Sequence, residues 1–186
     1  MKYKLVIAYD GTKYSGWQVQ PKHLTVQELL QKTLKVLLRD DIAVTGSGRT
    51  DSGVHARGQV AHFTCDQDLE IFPFIGSVNG ILPQDIRVLS IEKVNDDFHA
   101  RYSAKGKTYH YYLCLNRFPD PFRRLYSYHI RRKLDLTLLK SAAEKFIGTH
   151  DFTSFANEAH AGSASRNPIR TLRELNVIEE GNGFVC

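Results

Sequence analysis

A strict alternation of apolar and polar residues near the start of the chain constrains the fold more than any other feature. Every second residue of the segment KYKLVIAY is large and apolar or aromatic, namely Tyr3, Leu5, Ile7 and Tyr9. Because successive side chains of a strand point to opposite faces, the pattern predicts a strand over residues 3–9. The strand ends at the turn-forming pair aspartate and glycine.

The next segment, LTVQELLQKTLKVLLRD, has the period of an amphipathic helix and a complete N-terminal signal. Thr25 is an N-cap residue, Glu28 completes a capping box, and Leu24 can pack on Leu29 as a hydrophobic staple. One apolar stripe follows from the helical period, made of Val26, Leu29, Leu30, Leu34 and Leu37. The segment is therefore predicted to be a helix that packs through one face.

Later segments repeat this order of elements. Patterns predict a short helix near 72–79 that stops at Gly80, a helix over LDLTLLKSAAEKFIG that closes at Gly148, strands over 59–64, 86–94 and 107–115, and a final strand, Gly-Asn-Gly turn and returning strand. Strand, helix and strands thus occur twice, which predicts an α+β fold with an antiparallel sheet.

Composition indicates an ordinary soluble protein with an excess of positive charge. The net charge is +5, and Cys65, Cys114 and Cys186 are odd in number and have no metal-ligand spacing. We expect a reducing, cytoplasmic compartment, because these cysteines show no paired spacing, and we find neither a signal peptide nor an apolar run long enough to span a membrane.

Basic residues concentrate in one stretch that is also rich in aromatic residues. Positions 123–133 contain Tyr126, Tyr128, His129 and the basic residues Arg123, Arg124, Arg131, Arg132 and Lys133. Such a mixture is typical of a surface that binds a polyanion with stackable bases. A solvated, charge-rich loop is the alternative.

The stretch GSGRTDSGVHARGQVAHF, residues 46–63, is rich in glycine and polar residues, which is not expected of a segment whose role is to pack in the core. A phosphate-binding glycine loop is disfavoured, because Asp51 stands where a third glycine belongs and no lysine follows. A metal site of Asp51, His55 and His62 matches no standard spacing. Two readings remain: a tight turn in which Asp51 caps and Arg49 pairs with it, or a catalytic carboxylate on a loop between rigid elements.

Six segments in order resemble the tRNA pseudouridine synthase A family. The stretch GRTDSGVHA, 48–56, resembles the family signature. The others are YDGTKYSGWQVQP (9–21), VNGILPQDIRV (78–88), DDFHARYSAKGKTYHYYL (96–113), GTHDFTSFAN (148–157) and RNPIRTL (166–172). Their order and spacing cover the whole chain, so the resemblance is specific.

The resemblance implies an enzyme that converts uridine to pseudouridine in the anticodon stem-loop of tRNA, at positions 38 to 40, without a metal, a nucleotide or another cofactor. It implies a catalytic role for Asp51, stacking of Tyr109 on the target base, and a role for Arg49 in holding the flipped nucleotide. It also implies a homodimer and no membrane association. A catalytically disabled fragment that acts only as an RNA-binding module is the alternative function, and a nucleotide-binding enzyme is a weaker one.

The same resemblance implies two similar αβ subdomains, ferredoxin-like or RRM-like, that share an antiparallel sheet with helices on one face. We expect residues 1–100 to carry the Arg-Thr-Asp loop and residues 101–186 to carry the tyrosine strand. The chain stops at Cys186, two residues after Phe184. The family pattern continues with a strand and a helix whose arginine pairs with the catalytic aspartate, so the second subdomain is expected to be incomplete.

Overall fold

The computed structural model describes residues 1–155 and 168–186 of the chain. They form two separate units, Met1–Lys107 and Thr108–Cys186. The family-like segments 148–157 and 166–172 extend into residues 156–167, which lie outside the described residues. Within the described ranges, no helix has the length and apolar character needed to cross a membrane.

The first unit contains one four-stranded antiparallel sheet and two helices. In chain order its elements are β1 (Lys2–Tyr9), α1 (Val26–Leu38), β2 (Thr45–Gly46), β3 (Ala56–Thr64), α2 (Ile71–Ile81) and β4 (Ile86–Val94). The strands lie in the order β2-β3-β1-β4, and every neighbouring pair is antiparallel. The strands predicted over 3–9, 59–64 and 86–94 are confirmed, whereas α2 runs past Gly80, the residue predicted to stop it.

The alternation in β1 places one face of the strand in the core. Tyr3, Leu5, Ile7 and Tyr9 are at most 4% exposed. They share a single apolar cluster with residues of α1, of which Val26, Leu30, Leu34 and Leu38 are buried and Leu29 and Leu37 are partly buried. The predicted apolar stripe of α1 is thus confirmed, except that Leu38 and not Leu37 is the buried residue at its C-terminal end.

Both ends of α1 follow from local chemistry. The Thr25 hydroxyl accepts a hydrogen bond from the Glu28 backbone N–H at 3.4 Å, as the capping signal predicts. The Glu28 carboxylate pairs with Lys32 at 2.6 Å, one helical turn later. Arg39 ends the helix in the left-handed conformation, with φ of 57°.

The second unit contains shorter elements. They are β5 (Leu113–Cys114), β6 (Tyr128–His129), α3 (Leu136–Glu144), β7 (Gly148–Asp151), β8 (Ile169–Leu172), β9 (Glu179–Gly181) and β10 (Phe184–Val185). One sheet has the order β6-β5-β10-β9, in which β5 and β6 are parallel, and β7 and β8 form a separate antiparallel pair. The protein is therefore an α+β protein with mainly antiparallel sheets and three α-helices in its described part.

The last hairpin confirms the predicted Gly-Asn-Gly turn and returning strand. Asn182 and Gly183 connect β9 to β10 with φ of 50° and 77°. Two consecutive positive φ values are the requirement of the type I′ turn that joins tightly paired strands.

Two predictions for the second unit are wrong. The strand predicted over 107–115 is present only at Leu113–Cys114, because its antiparallel partner β10 is two residues long and pairs only with those two. The helix predicted to close at Gly148 ends at Glu144, and Gly148 begins β7 with φ of 116°. Most apolar side chains of α3 stay accessible, since Ala143 is the only buried residue of this helix.

Replacing Gly46 in β2 tests the packing between the sheet and Trp17. A Cβ at Gly46 would lie 2.6 Å from the indole Nε1 of Trp17, which is 1% exposed and cannot move aside. We expect Gly46→Ala to lower the free energy of unfolding by roughly 1–3 kcal/mol, as overpacking does in other cores. The matched control is Gly58→Ala in β3, where the added Cβ would meet only Val6 at 3.8 Å. Denaturant titration of both variants measures the difference, and equal stabilities would contradict this packing.

Candidate active site

The loop between β2 and β3 carries Arg49 and Asp51, and main-chain hydrogen bonds fix it to the segment that follows β1. The Trp17 N–H donates to the Thr50 carbonyl at 3.1 Å, and the Gly53 N–H donates to the Tyr14 carbonyl at 3.1 Å. These bonds lie on either side of Asp51, so the backbone of the carboxylate-bearing residue is anchored before and after it.

Asp51 is the first residue of a tight turn. The Val54 N–H donates to the Asp51 carbonyl at 3.2 Å, and Gly53 has a φ of 78°. A positive φ at the third position of a turn strongly favours glycine, which explains one glycine of the signature. The turn directs the chain away after Asp51 and leaves its side chain exposed.

Two glycines in the segment that follows β1 allow the loop to lie close against the main chain of that segment. A Cβ at Gly16 would lie 2.3 Å from the Thr50 carbonyl oxygen, and a Cβ at Gly11 would lie 2.1 Å from the Val54 carbonyl oxygen. Gly16 also has a φ of 87°. Any larger residue at either position would push the loop outward. The sequence stretch around Gly11 and Gly16 is therefore part of the site's construction.

Polar and aromatic side chains complete this support. His55 Nδ1 accepts from the Gly11 N–H at 3.1 Å and lies 3.0 Å from an Asp10 carboxylate oxygen. Tyr14 is 4% exposed, and its hydroxyl donates to Asp85. Burial, and then the hydrogen bond and charge of Asp85, raise the pKa of Tyr14 well above its usual value, so the hydroxyl stays a donor. Trp17, like Tyr14, is buried, so both aromatic rings of this segment pack inside the unit.

A surface pocket of about 530 Å³ opens beside the loop. One side is formed by the loop residues Arg49, Thr50, Asp51 and Ser52, and the other by Ser15, Gln18, Gln20 and His23. A volume of this order suits a nucleotide-sized ligand. Sequence analysis assigned no role to the four residues on the second side of the pocket. The sequence feature that could have indicated them is the turn at Pro21. There the His23 N–H donates to the Gln20 carbonyl at 3.3 Å, and the turn places His23 beside the pocket.

Arg49 and Asp51 are both exposed. Among residues 1–155 and 168–186, neither side chain forms an ion pair within 4.0 Å or a hydrogen bond. The tight-turn reading, in which Arg49 pairs with Asp51, is therefore wrong for this pair of side chains. A guanidinium and a carboxylate instead line the same pocket as separate groups.

The geometry does not support the other two readings of the glycine-rich stretch. His62 Nδ1 accepts from the Ala100 N–H at 3.2 Å, and the described residues hold no group of three or more metal-ligating side chains. The loop leads into β3, not into a helix. It therefore lacks the helix N-terminus on which glycine loops hold a phosphate.

Tyr109 lies in the second unit, in the segment that precedes β5. Its side chain is 71% exposed, and that of Tyr111 is 77% exposed. Residues 107–112 are not part of a described strand, so neither ring lies on a paired strand face.

The basic, aromatic stretch of the second unit is also largely accessible. Phe122 is 89% exposed and Tyr128 is 72% exposed, and Arg131 and Arg132 are exposed as well. Arg123 differs, because it pairs with Glu180 at 2.8 Å and lies 3.8 Å above the ring of Phe184. Arg123 therefore belongs to the internal structure of its unit.

Comparisons with known proteins agree with the motifs around this pocket. The family described as tRNA pseudouridine synthase matches residues 5–103, which include the whole loop. The chain is 53% identical to tRNA pseudouridine synthase A 1 of Protochlamydia amoebophila, over 98% of this chain and 75% of that protein. It is 44% identical to tRNA pseudouridine synthase A of Lacticaseibacillus casei, over 98% of this chain and 78% of that protein.

A relative from Chlamydia muridarum, also named tRNA pseudouridine synthase A, is 45% identical over 97% of this chain and 71% of that protein. Identities of this size extend over both units, so they do not reflect the loop motif alone. They confirm the resemblance found in the six sequence segments, and the chain belongs to the tRNA pseudouridine synthase family.

Proposed function

We propose that this protein isomerises uridine to pseudouridine in tRNA, with Asp51 as the catalytic carboxylate. The observation that carries the proposal is the placement of Asp51, an exposed carboxylate on an anchored turn, in a pocket of about 530 Å³ beside Arg49. Family membership supplies the reaction, and the pocket supplies a site of suitable size and chemistry.

The reaction requires one carboxylate in a defined position and an environment that is closed to water. The C1′–N1 bond of the uridine breaks, the uracil turns, and C1′ bonds to C5; the hydrogen of C5 leaves and N1 gains a proton. Atoms and electrons balance without an oxidant or a cofactor. Asp51 serves either as a nucleophile at C1′ or as a base at the 2′ position, and both routes need it ionised and oriented.

Tyr109 is proposed to stack on the target base. A base inside a stem must leave the stack before it can turn, which costs a few kcal/mol. Stacking on an aromatic ring recovers about 1–3 kcal/mol of this cost per base. The 71% exposure of Tyr109 supports the role, since its ring is accessible for a base.

Arg49 is proposed to hold a phosphate of the flipped nucleotide. Its guanidinium lines the pocket and makes no ion pair with another residue of the described ranges. Arginine matches phosphate geometry with two parallel hydrogen bonds, which fixes orientation as well as charge. Such a contact would hold the ribose near Asp51 while the base turns.

The proposal also covers the substrate, the oligomeric state and the division into subdomains. The likeness to the family favours the anticodon stem-loop as substrate, a cytoplasmic homodimer as the working form, and two ferredoxin-like subdomains, 1–100 and 101–186. In support, the order β1-α1-β2-β3-α2-β4 of the first unit, with sheet order β2-β3-β1-β4, is that of a split βαβ unit. The net charge of +5 and the exposed basic stretch suit a polyanion.

Asp51→Asn tests the catalytic assignment. The amide keeps the shape of the side chain and removes the negative charge, so we expect loss of at least about three orders of magnitude in rate, as for removal of other nucleophiles. Tritium release from tRNA labelled at uridine C5 measures bond formation directly. The control is Asp66→Asn, an exposed carboxylate beyond the far end of β3, which should retain full release.

Two results would contradict the assignment. Undiminished release from Asp51→Asn would place the chemistry elsewhere. Tight tRNA binding by the unaltered chain, with no release from several tRNAs, would oppose the enzyme and favour an RNA-binding module.

Arg49→Gln tests the phosphate contact. Loss of one such contact should weaken tRNA binding by about tenfold and lower the slope of log Kd against log salt by about 1. The control removes the same charge from Arg39 at the opposite end of α1, roughly 20 Å along the helix from the pocket. Filter binding at several salt concentrations gives both quantities. Equal effects of the two substitutions would show that Arg49 contributes only general charge.

A further inference from the structure

We infer that Tyr9 and Thr50 form a hydroxyl pair that positions Asp51, so that both are positioning residues for the reaction. The inference rests on the proposed function of Asp51. It extends that function to a residue of β1 that lies in the core, far along the chain from the Arg-Thr-Asp motif.

The pair is a direct hydrogen bond within the fold. The Tyr9 hydroxyl lies 2.8 Å from Thr50 Oγ1. Tyr9 is the last residue of β1, is 4% exposed, and packs its ring against Trp17 with a centroid distance of 6.1 Å. Burial raises the pKa of Tyr9, although the bond to Thr50 opposes this, and the hydroxyl therefore stays protonated. A rigid hydroxyl at the end of β1 thus bonds to the residue before the carboxylate.

Thr50 is held at two points. Its side chain contacts Tyr9, and its carbonyl accepts the Trp17 N–H at 3.1 Å. Fixing both the side chain and the carbonyl of one residue restricts the backbone on which the next residue is carried. The next residue is Asp51, and Gly16 lies directly against the peptide that joins the two.

Asp51 needs such external positioning because its own side chain has no support. No other residue of the described ranges forms an ion pair or a hydrogen bond with its carboxylate. Its location therefore depends on its backbone. The turn fixes the backbone after Asp51, and Thr50 fixes the backbone before it. The bond to Tyr9 is the only side-chain hydrogen bond between Thr50 and β1 in the described part of the protein.

Small errors in placement are costly for this kind of chemistry. Displacement of a reacting group by about 1 Å can reduce a rate by about a hundredfold. Loss of the hydroxyl bond leaves the Trp17 contact in place, so we expect partial misplacement and a rate about tenfold lower. Binding of tRNA should change little, because phosphate contacts dominate affinity.

The experiment compares four variants by single-turnover tritium release and by tRNA binding. Tyr9→Phe and Thr50→Val each remove one hydroxyl with little change in volume, the double variant removes both, and Thr50→Ser keeps the hydroxyl. The control is Tyr3→Phe. Tyr3 is buried on the same face of β1, and its hydroxyl bonds to the loop at Gln67 and Leu69, at 3.1 and 3.0 Å, away from Asp51.

We expect Tyr9→Phe and Thr50→Val each to lower the turnover rate by about tenfold while the tRNA Kd stays within about twofold. The double variant should be no slower than either single variant, because both remove the same bond. Thr50→Ser should retain most of the rate, and Tyr3→Phe should lose stability without losing rate. Unchanged rates in both single variants, additive losses, or an equal loss in Tyr3→Phe would overturn the inference.

Hydrogen exchange of the peptide covering residues 47–56 gives a readout that does not depend on activity. The Gly53 and Val54 amides are hydrogen-bonded in the loop, so Tyr9→Phe should accelerate their exchange and Tyr3→Phe should not. If Asp51→Asn proved fully active, the proposed function would fail, and exchange would still decide whether the pair positions the loop. Unchanged exchange in Tyr9→Phe would reject the pair as a positioning device.

Discussion

The close main-chain contact between two segments about 40 residues apart is the constraint on which the candidate site depends. The segment after β1 and the loop before β3 touch backbone to backbone, which is possible only because Gly11 and Gly16 have no Cβ. This contact anchors the loop to the segment that continues β1, one of the two central strands of the sheet. A loop on the surface is thereby fixed to the core, as the catalytic role proposed for Asp51 requires.

Local chemistry explains why much of the first unit could be predicted. The alternation in β1 and the cap at Thr25 each depend on residues adjacent in sequence, and the structure confirms both. The hairpin at Asn182 likewise follows from its own turn residues. The strand over 107–115 failed for the opposite reason. Its alternation is clear, but a strand also needs a partner of matching length, and β10 provides only two residues.

The residues of the candidate site that could be predicted are likewise those with a signal in the adjacent sequence. Arg49 and Asp51 stand out because glycines and polar residues surround them in the sequence, and family resemblance then suggested their roles. The bond between Tyr9 and Thr50 has no local signature, since a tyrosine at the end of an apolar alternation looks like ordinary core. Gln18 and His23 were missed because only folding of the turn at Pro21 brings them beside the loop.

The absence of an ion pair between Arg49 and Asp51 in the described structure is informative about function. The two residues are separated by one position and carry opposite charges, yet both side chains remain exposed. A surface ion pair would contribute only about 0–1 kcal/mol, so leaving it unformed costs the fold little. An ion pair would, however, engage the two groups that are proposed to contact the flipped nucleotide, Arg49 at a phosphate and Asp51 at the ribose. With Thr50 bonded to Tyr9 and the turn after Asp51 bonded through its main chain, both charged side chains stay available for the nucleotide contacts proposed for them.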